Sequence, residues 1–223
     1  MDFIFMFTRN DQTVEDCLDV FELIKPLKIK HLGFKDVGVD IATLKELNRR
    51  IKETGATSYL EVVSTSTAEA LKSAKAAVEI GIDRLMGGTQ VEEILNIIKN
   101  TKIKYFPFPG RPEGHPTKLG GTPDSVADDC RRFSKMGCAG VDLLAYRATE
   151  ADPIELVKAA RKALDGYLVV AGSVTNPGRI RDLKKAGADA FTIGSAIFDG
   201  SFSPRKGHIL SQFRDVLDSI DRD

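Results

Sequence analysis

Along the chain, short apolar runs alternate with longer segments whose apolar positions recur every three or four residues, and the alternation repeats eight times. The runs are Phe3 to Phe7, His31 to Phe34, Ser58 to Val63, Arg84 to Met86, Lys104 to Phe108, Gly140 to Ala145, Tyr167 to Ala171 and Ala190 to Ile193. Several hold only apolar or small residues, the pattern of a strand covered on both faces. A strand followed by a helix eight times over predicts an α/β fold, a (β/α)8 TIM barrel with eight parallel strands inside and the helices outside. At 223 residues the chain has the size of such a barrel, and residues 1–223 are expected to form one domain.

The turn signals sharpen the boundaries. Ser66-Thr67-Ala68-Glu69 and Thr89-Gln90-Val91-Glu92 have the spacing of a capping box, while Thr122-Pro123, Asp152-Pro153 and Asn176-Pro177 place a cap residue before a proline at the first helical position. Gly55, Gly81, Gly137 and Gly187 stand where a helix must stop and turn into the next strand, so each is expected to adopt the left-handed conformation. An internal echo runs through the halves: Tyr59 to Val63 leads to Gly81-Ile82-Asp83, and Tyr167 to Ala171 leads to Gly187-Ala188-Asp189. Any two β/α units share such features, so the echo suggests a two-half construction without requiring it. The long connection Pro109 to Gly121 carries Arg111, Glu113, His115 and Lys118, and loops of that length in a compact domain are usually functional or mobile.

Charge and composition narrow the partners. Lysine plus arginine number 32 and aspartate plus glutamate number 32, so no basic excess favours nucleic acid. Cys17, Cys130 and Cys138 are odd in number and widely spaced, and read as reduced thiols of a cytoplasmic protein. The opening MDFIFMFTRND is apolar for too few residues to be a secretion signal and falls short of the roughly 20 that a membrane span needs. Neither a membrane nor a nucleic acid is an expected partner; self-association is compatible with the sequence.

The strongest local signal is Val169-Val170-Ala171-Gly172-Ser173-Val174, followed by Gly187-Ala188-Asp189 and then Phe191 to Gly200, FTIGSAIFDG. In a barrel, Gly172 and Gly194 fall just past strands seven and eight, where a missing Cβ lets backbone N–H groups approach an anion. Residues 195–198 would form a short helix starting at that anion, with Ser173 and Ser195 adding hydroxyls. This stretch resembles the phosphate grip of the ribulose-phosphate-binding barrel superfamily, which includes histidine-biosynthesis isomerase and cyclase barrels, phosphosugar epimerases and indole-glycerol-phosphate synthase. The likeness of motif covers roughly the last third of the chain. Ser173 stands where the family commonly has a second glycine. The resemblance implies a small phosphorylated metabolite as ligand, held by Gly172, Ser173, Gly194 and Ser195. A purely structural role for these glycines, turning the chain at a barrel rim, is the alternative.

Candidates for chemistry lie at the strand ends of the same face. Lys35 follows an apolar strand and can act as a base, an imine-forming nucleophile or an anion clamp, or be a rim ion pair with its neighbour Asp36. Glu61 interrupts the apolar run Tyr59-Leu60-Glu61-Val62-Val63, a costly place for an unpaired carboxylate, and suits a general acid or base or an ion pair with Lys35. Asp142 follows the same logic with less force, because a place near the start of its strand would turn it to the barrel bottom. His115 in the long loop suits proton transfer or is merely exposed. Arg9, Asp36, Arg111 and Arg147 are candidates for contacts with the rest of the substrate. His31 and His208 are expected to be structural or surface residues.

No cofactor is expected, since the chain has no H-E-x-x-H, close histidine pair, cysteine cluster or G-x-G-x-x-G. A magnesium ion held by Glu61, Asp36 and phosphate oxygens is a weaker alternative. Two branches of the family are a poor match. The histidine-pathway isomerase has aspartates after its first and fifth strands, where this chain has Thr8 and Pro109-Gly110; the decarboxylase branch has D-x-K-x-x-D, and Gly33-Phe34-Lys35-Asp36 lacks the first acid. The expectation is an enzyme acting on a phosphorylated sugar or small polyol by proton transfer next to a carbonyl, an isomerase or epimerase. A lyase or aldolase with Lys35 as imine lysine is the second reading, and a non-catalytic phosphometabolite-binding protein the third.

Overall fold

The computed structural model describes residues 1–62, 64, 66–114 and 116–221. Eight parallel strands form the barrel: β1 (Asp2–Met6), β2 (His31–Lys35), β3 (Thr57–Val62), β4 (Arg84–Gly87), β5 (Lys104–Phe106), β6 (Gly140–Leu143), β7 (Tyr167–Val170) and β8 (Ala190–Ile193). The ladder runs β6-β7-β8-β1-β2-β3-β4-β5. Its two ends meet through backbone hydrogen bonds from Ala139 to the Tyr105 carbonyl and from Asp142 to the Pro107 carbonyl, 3.0 Å each, so the sheet is nearly closed. This is the (β/α)8 fold that the alternating pattern predicts. Helices α1 (Cys17–Ile24), α2 (Ile41–Glu53), α3 (Thr67–Ile80), α4 (Val91–Ile98), α5 (Pro123–Lys135), α6 (Pro153–Ala163), α7 (Pro177–Ala186), α8 (Ser195–Phe198) and α9 (Ile209–Asp221) surround it.

The helix starts follow the cap chemistry, with one exception. Ser66, Thr122, Asp152 and Asn176 each accept a backbone N–H with the side chain, and Thr122 and Ser125 complete a reciprocal capping box. Thr89 is not a cap. Gly87 and Gly88 turn the chain with φ of 80° and 75°, α4 begins one residue late, and Gln90 stands at its cap without a side-chain bond to the helix. All four glycines expected after helices have positive φ. The echo between the halves reaches the side chains: Asp83 accepts from the Ser58 N–H at 2.9 Å, and Asp189 accepts from the Leu168 N–H at 2.8 Å. Each also pairs with a cation, Lys52 at 3.2 Å and Arg161 at 2.7 Å. A carboxylate two residues after the helix-ending glycine thus fastens the start of the preceding strand in both halves.

Two apolar layers hold the molecule together. The larger lies between strands and helices and includes Phe5, Phe7, Phe21, Leu47, Leu60, Phe133, Leu168 and Phe213. The smaller fills the barrel with Ile4, Met6, Tyr59, Met86, Phe106, Val169 and Ala190. Gly33 on β2 makes room for the Met6 sulfur, which would lie 2.4 Å from a Cβ there. Since alternate residues of a strand face the same side, Met6, Lys35, Glu61 and Thr192 continue the inward series toward the C-terminal ends of the strands, where the connections form a cleft.

Two connections on that face are antiparallel hairpins. Thr8–Arg9 pairs with Gln12–Thr13, and Arg111–Glu113 pairs with Lys118–Gly120. His115 lies outside the described residues, as does Val63, the expected end of the third strand.

Candidate functional site

The register of β2 and β3 places Lys35 directly opposite Glu61, and both are buried. The Lys35 ammonium is 3.4 Å from the Glu61 carboxylate and 2.8 Å from that of Asp11, at the tip of the first hairpin. Asp11 in turn receives both ends of the Arg147 guanidinium, at 3.2 and 3.4 Å, and Arg147 also donates to the Thr117 carbonyl at 3.3 Å. The hairpin that carries Asp11 is fixed at its base. The Thr13 hydroxyl donates to the Lys35 carbonyl at 2.7 Å and accepts the Lys35 N–H at 2.9 Å, standing in for a ladder partner. Its tip is bent through two left-handed residues, Asn10 at φ 51° and Asp11 at φ 60°, a conformation that Asn and Asp tolerate better than other side chains.

The electrostatics follow from this crowding. Burial alone would raise the Asp11 carboxyl, but Lys35 and Arg147 outweigh it and hold it down to about 2. Burial likewise works against the Lys35 ammonium, and Glu61 and Asp11 overcome it, so Lys35 stays charged above its ordinary range. Beneath them lies Asp142 on β6, fully buried with both carboxyl oxygens unpartnered. Burial, reinforced by Glu61 and only partly offset by Lys35 and Arg147, raises its carboxyl well above the usual range. Its electrostatic partners are the residues of the upper rim, so it does not serve the barrel bottom as its place early in the strand suggests.

The cleft above this cluster has a volume of about 270 Å³, and both glycine loops open into it. Gly172, Ser173, Val174 and Thr175 line one side; Gly194, Ser195 and Ala196 line another, with Lys35, Glu61, Asp11 and Arg147 between. The absent Cβ atoms have local reasons too. A Cβ on Gly172 would lie 2.5 Å from the Arg147 Nε, and one on Gly194 would lie 2.6 Å from both the carbonyl and hydroxyl oxygens of Thr8. Ser173 adopts φ 57°, so the position often held by a second glycine keeps the left-handed backbone at the cost of some strain. Ser195 accepts the Asn10 N–H at 3.2 Å, which joins the first hairpin to the eighth loop.

Not every sequence candidate reaches the cleft. Arg9 is exposed on the outer side of its hairpin, beside Gln12 and Glu15. Asp36 turns away and accepts from the Ser73 hydroxyl at 2.5 Å; burial raises its carboxyl against that bond. It is not brought together with Glu61, and the described residues hold no group of three or more His, Cys, Asp or Glu side chains placed to bind a metal ion. Arg111 is exposed and paired with Glu113 and Glu150. His31 is built into the bottom of the barrel, where its Nδ1 is 3.0 Å from the Tyr59 hydroxyl. Asp142 has less weight in the sequence than in this site, and Asp11 is a site residue that the sequence candidates did not include. The Asn-Asp pair between two polar strand-like dipeptides was the available sign of a tight turn that would aim a carboxylate somewhere definite.

No protein-family model matches the chain, and no curated protein matches it. Solved structures do. Orotidine 5'-phosphate decarboxylase from Pyrococcus horikoshii superposes with a TM-score of 0.69 at 14% identity, over 99% of this chain and 100% of that one. A mutant tryptophan synthase alpha-subunit from Pyrococcus furiosus gives 0.66 at 14% identity, over 97% and 98%. Thiamine phosphate pyrophosphorylase from Pyrococcus furiosus gives 0.61 at 12% identity, over 99% and 96%. All three superpose over nearly the whole of the chain. At such identities the likeness is one of fold.

Proposed function

We propose that the protein is an enzyme acting on a small phosphorylated sugar or polyol, and that it moves a proton next to a carbonyl as an isomerase or epimerase does. The observation that carries this reading is the opening of the Lys35–Glu61 pair into the same cleft as the Gly172 and Gly194 loops. Backbone N–H groups of the two loops, with the Ser173 and Ser195 hydroxyls, would hold the phosphate. Two of the barrels that share the fold carry a phosphate compound in their names, which is in keeping with this use of the rim.

In the reaction, the Glu61 carboxylate takes the proton from the carbon next to the carbonyl, and the electron pair moves to the carbonyl oxygen. The Lys35 ammonium donates a hydrogen bond to the resulting enediolate. The hydroxyl proton then passes from its oxygen to the former carbonyl oxygen, and Glu61 returns its proton to the former carbonyl carbon, which completes an aldose–ketose exchange without a co-reactant. The imine reading of Lys35 requires a neutral amine, and two carboxylates within 3.4 Å favour the charged form. A non-catalytic binding role is less consistent with an acid–base pair exposed to the ligand space.

The test is a thermal-shift screen of phosphorylated sugars, with the unphosphorylated sugars as controls, followed by NMR of the binders in deuterated water. Ligands that raise the melting temperature are expected to exchange a carbon-bound hydrogen for deuterium. Glu61→Gln should slow that exchange by about 10²–10⁴-fold, and Lys35→Met should do the same while phosphate affinity stays near normal. Full exchange in either variant rules out the assigned role. A mass shift on the Lys35 peptide after borohydride trapping would turn the reading to the imine route.

A further inference from the structure

The cations of the cleft are already taken. Among the described residues, its charged lining consists of Lys35 and Arg147 against the carboxylates of Asp11, Glu61 and Asp199. Lys35 stands between Asp11 at 2.8 Å and Glu61 at 3.4 Å. Arg147 spends its two-pronged end on Asp11 and its remaining reach on the Thr117 carbonyl. It cannot draw back toward the seventh-strand loop, because its side chain already lies against Gly172 at a distance that no Cβ would allow. Asp11 is held in place from the other direction by a hairpin anchored through Thr13 to the backbone of Lys35 and through Asn10 to Ser195. Asp199, exposed at the mouth, accepts from the Ser201 N–H at 2.9 Å and adds a further negative charge.

We infer that the ligand of this cleft carries one phosphate and no second anionic group, its remaining body being a neutral or amino-bearing polyol. This rests on the phosphate reading above and narrows it. A phosphate can be held by the neutral donors of the two glycine loops, and anion sites made of backbone N–H groups need no cation. The other end of the same ligand must lie over Asp11, Lys35 and Glu61. There, hydroxyl or ammonium groups find carboxylate acceptors, whereas a carboxylate or second phosphate meets like charge with both cations occupied. At about 270 Å³ the cleft is also below the roughly 300–1,000 Å³ that houses drug-sized ligands, so the body is small. The role of Arg147 changes accordingly: in place of contacting the rest of the substrate, it holds the carboxylate that excludes a second anion.

Calorimetric titration at fixed ionic strength separates the outcomes. Inorganic phosphate, glycerol phosphate, phosphoglycerate, and a sugar monophosphate with its bisphosphate are titrated into the wild-type protein and into Asp11→Asn. The wild type should bind each ester whose only anionic group is one phosphate about tenfold or more tightly than its partner with the extra anion. Asp11→Asn should shrink that gap to about threefold or less, mainly by tighter binding of phosphoglycerate and the bisphosphate to the released Arg147. Should Asp11→Asn fail to fold, the wild-type comparison still decides, and Glu61→Gln serves as the second variant, with a smaller gap expected. Equal or tighter wild-type binding of phosphoglycerate or the bisphosphate overturns the inference and leaves the phosphate site standing. If neither inorganic phosphate nor any ester binds, the phosphate reading itself falls and the inference with it.

Discussion

The two ends of the barrel both gather charged side chains, and they treat them differently. At the N-terminal end the Arg84 guanidinium lies over the rings of Tyr167, Tyr59 and Phe106, at 4.9, 5.3 and 5.7 Å from their centroids. It donates to the Tyr59 hydroxyl at 2.7 Å, and that hydroxyl is 3.0 Å from His31 Nδ1. His31 Nε2 lies 3.4 Å from Asp2, which also accepts the Tyr167 hydroxyl at 2.5 Å. The result is a chain of satisfied partners that plugs the barrel. Around the cleft at the C-terminal end, the described residues hold more carboxyls than cations, one of them fully buried without a hydrogen-bond partner, and left-handed Asn10, Asp11 and Ser173 stand beside them. Buried charge that is paired and stacked stabilises a fold; buried charge left in excess beside an opening is available for chemistry.

Substitution at the plug should have the largest effect on stability. Arg84→Met removes the cation from among three rings and a hydrogen bond from Tyr59, and is expected to cost about 2–4 kcal/mol in urea unfolding. Phosphate affinity of the folded fraction should not change. A loss of affinity without a loss of stability would erase the contrast between the two ends.

Next comes Asp142→Asn, which is expected to act through pH. The wild-type carboxyl keeps its proton in the folded state well above the usual carboxylate range, owing to burial and then Glu61. Between the unfolded and folded values the folded state therefore binds more protons, so wild-type stability falls as pH rises through that interval. The variant lacks this fall and should gain stability over the wild type at pH 8 relative to pH 4, measured by chemical unfolding. Parallel pH profiles would mean that Asp142 is ionised and paired. Asp11 has the opposite sign. Its carboxyl, held to about 2 by Lys35 and Arg147 against burial, contributes stability above the ordinary carboxylate range that is lost as pH falls toward 2. Asp11→Asn should flatten that acid limb.

The smallest effect belongs to Arg111→Ala. Its pairs with Glu113 and Glu150 are exposed, where water and salt screen the attraction, so unfolding should hardly change. Ligand binding should be unaffected, and a clear loss of it would bring the second hairpin into the site.

Much of this architecture was legible along the chain. Strand–helix alternation located all eight barrel strands, because a strand covered on both faces and a helix with one apolar stripe differ in length and period. Cap chemistry placed four of five helix starts, and failed at Thr89 because two consecutive left-handed glycines delayed the helix there. The candidate site was legible only in part. Lys35, Glu61, Arg147 and the two glycine loops meet in one cleft, while Arg9, Asp36 and Arg111, equally close to strand ends in the chain, point elsewhere.

Residue order and local chemistry therefore determine the number of β/α units, their caps and the glycine turns, since each depends on backbone preferences over a few neighbouring residues. Which charged groups meet does not follow from them. Strand register sets Lys35 against Glu61, a left-handed hairpin tip delivers Asp11 from 24 residues away in the chain, and closure of the sheet buries Asp142 beneath both. A strand buried on both faces has no polar alternation to tell inward from outward, so those meetings were settled only when the barrel closed.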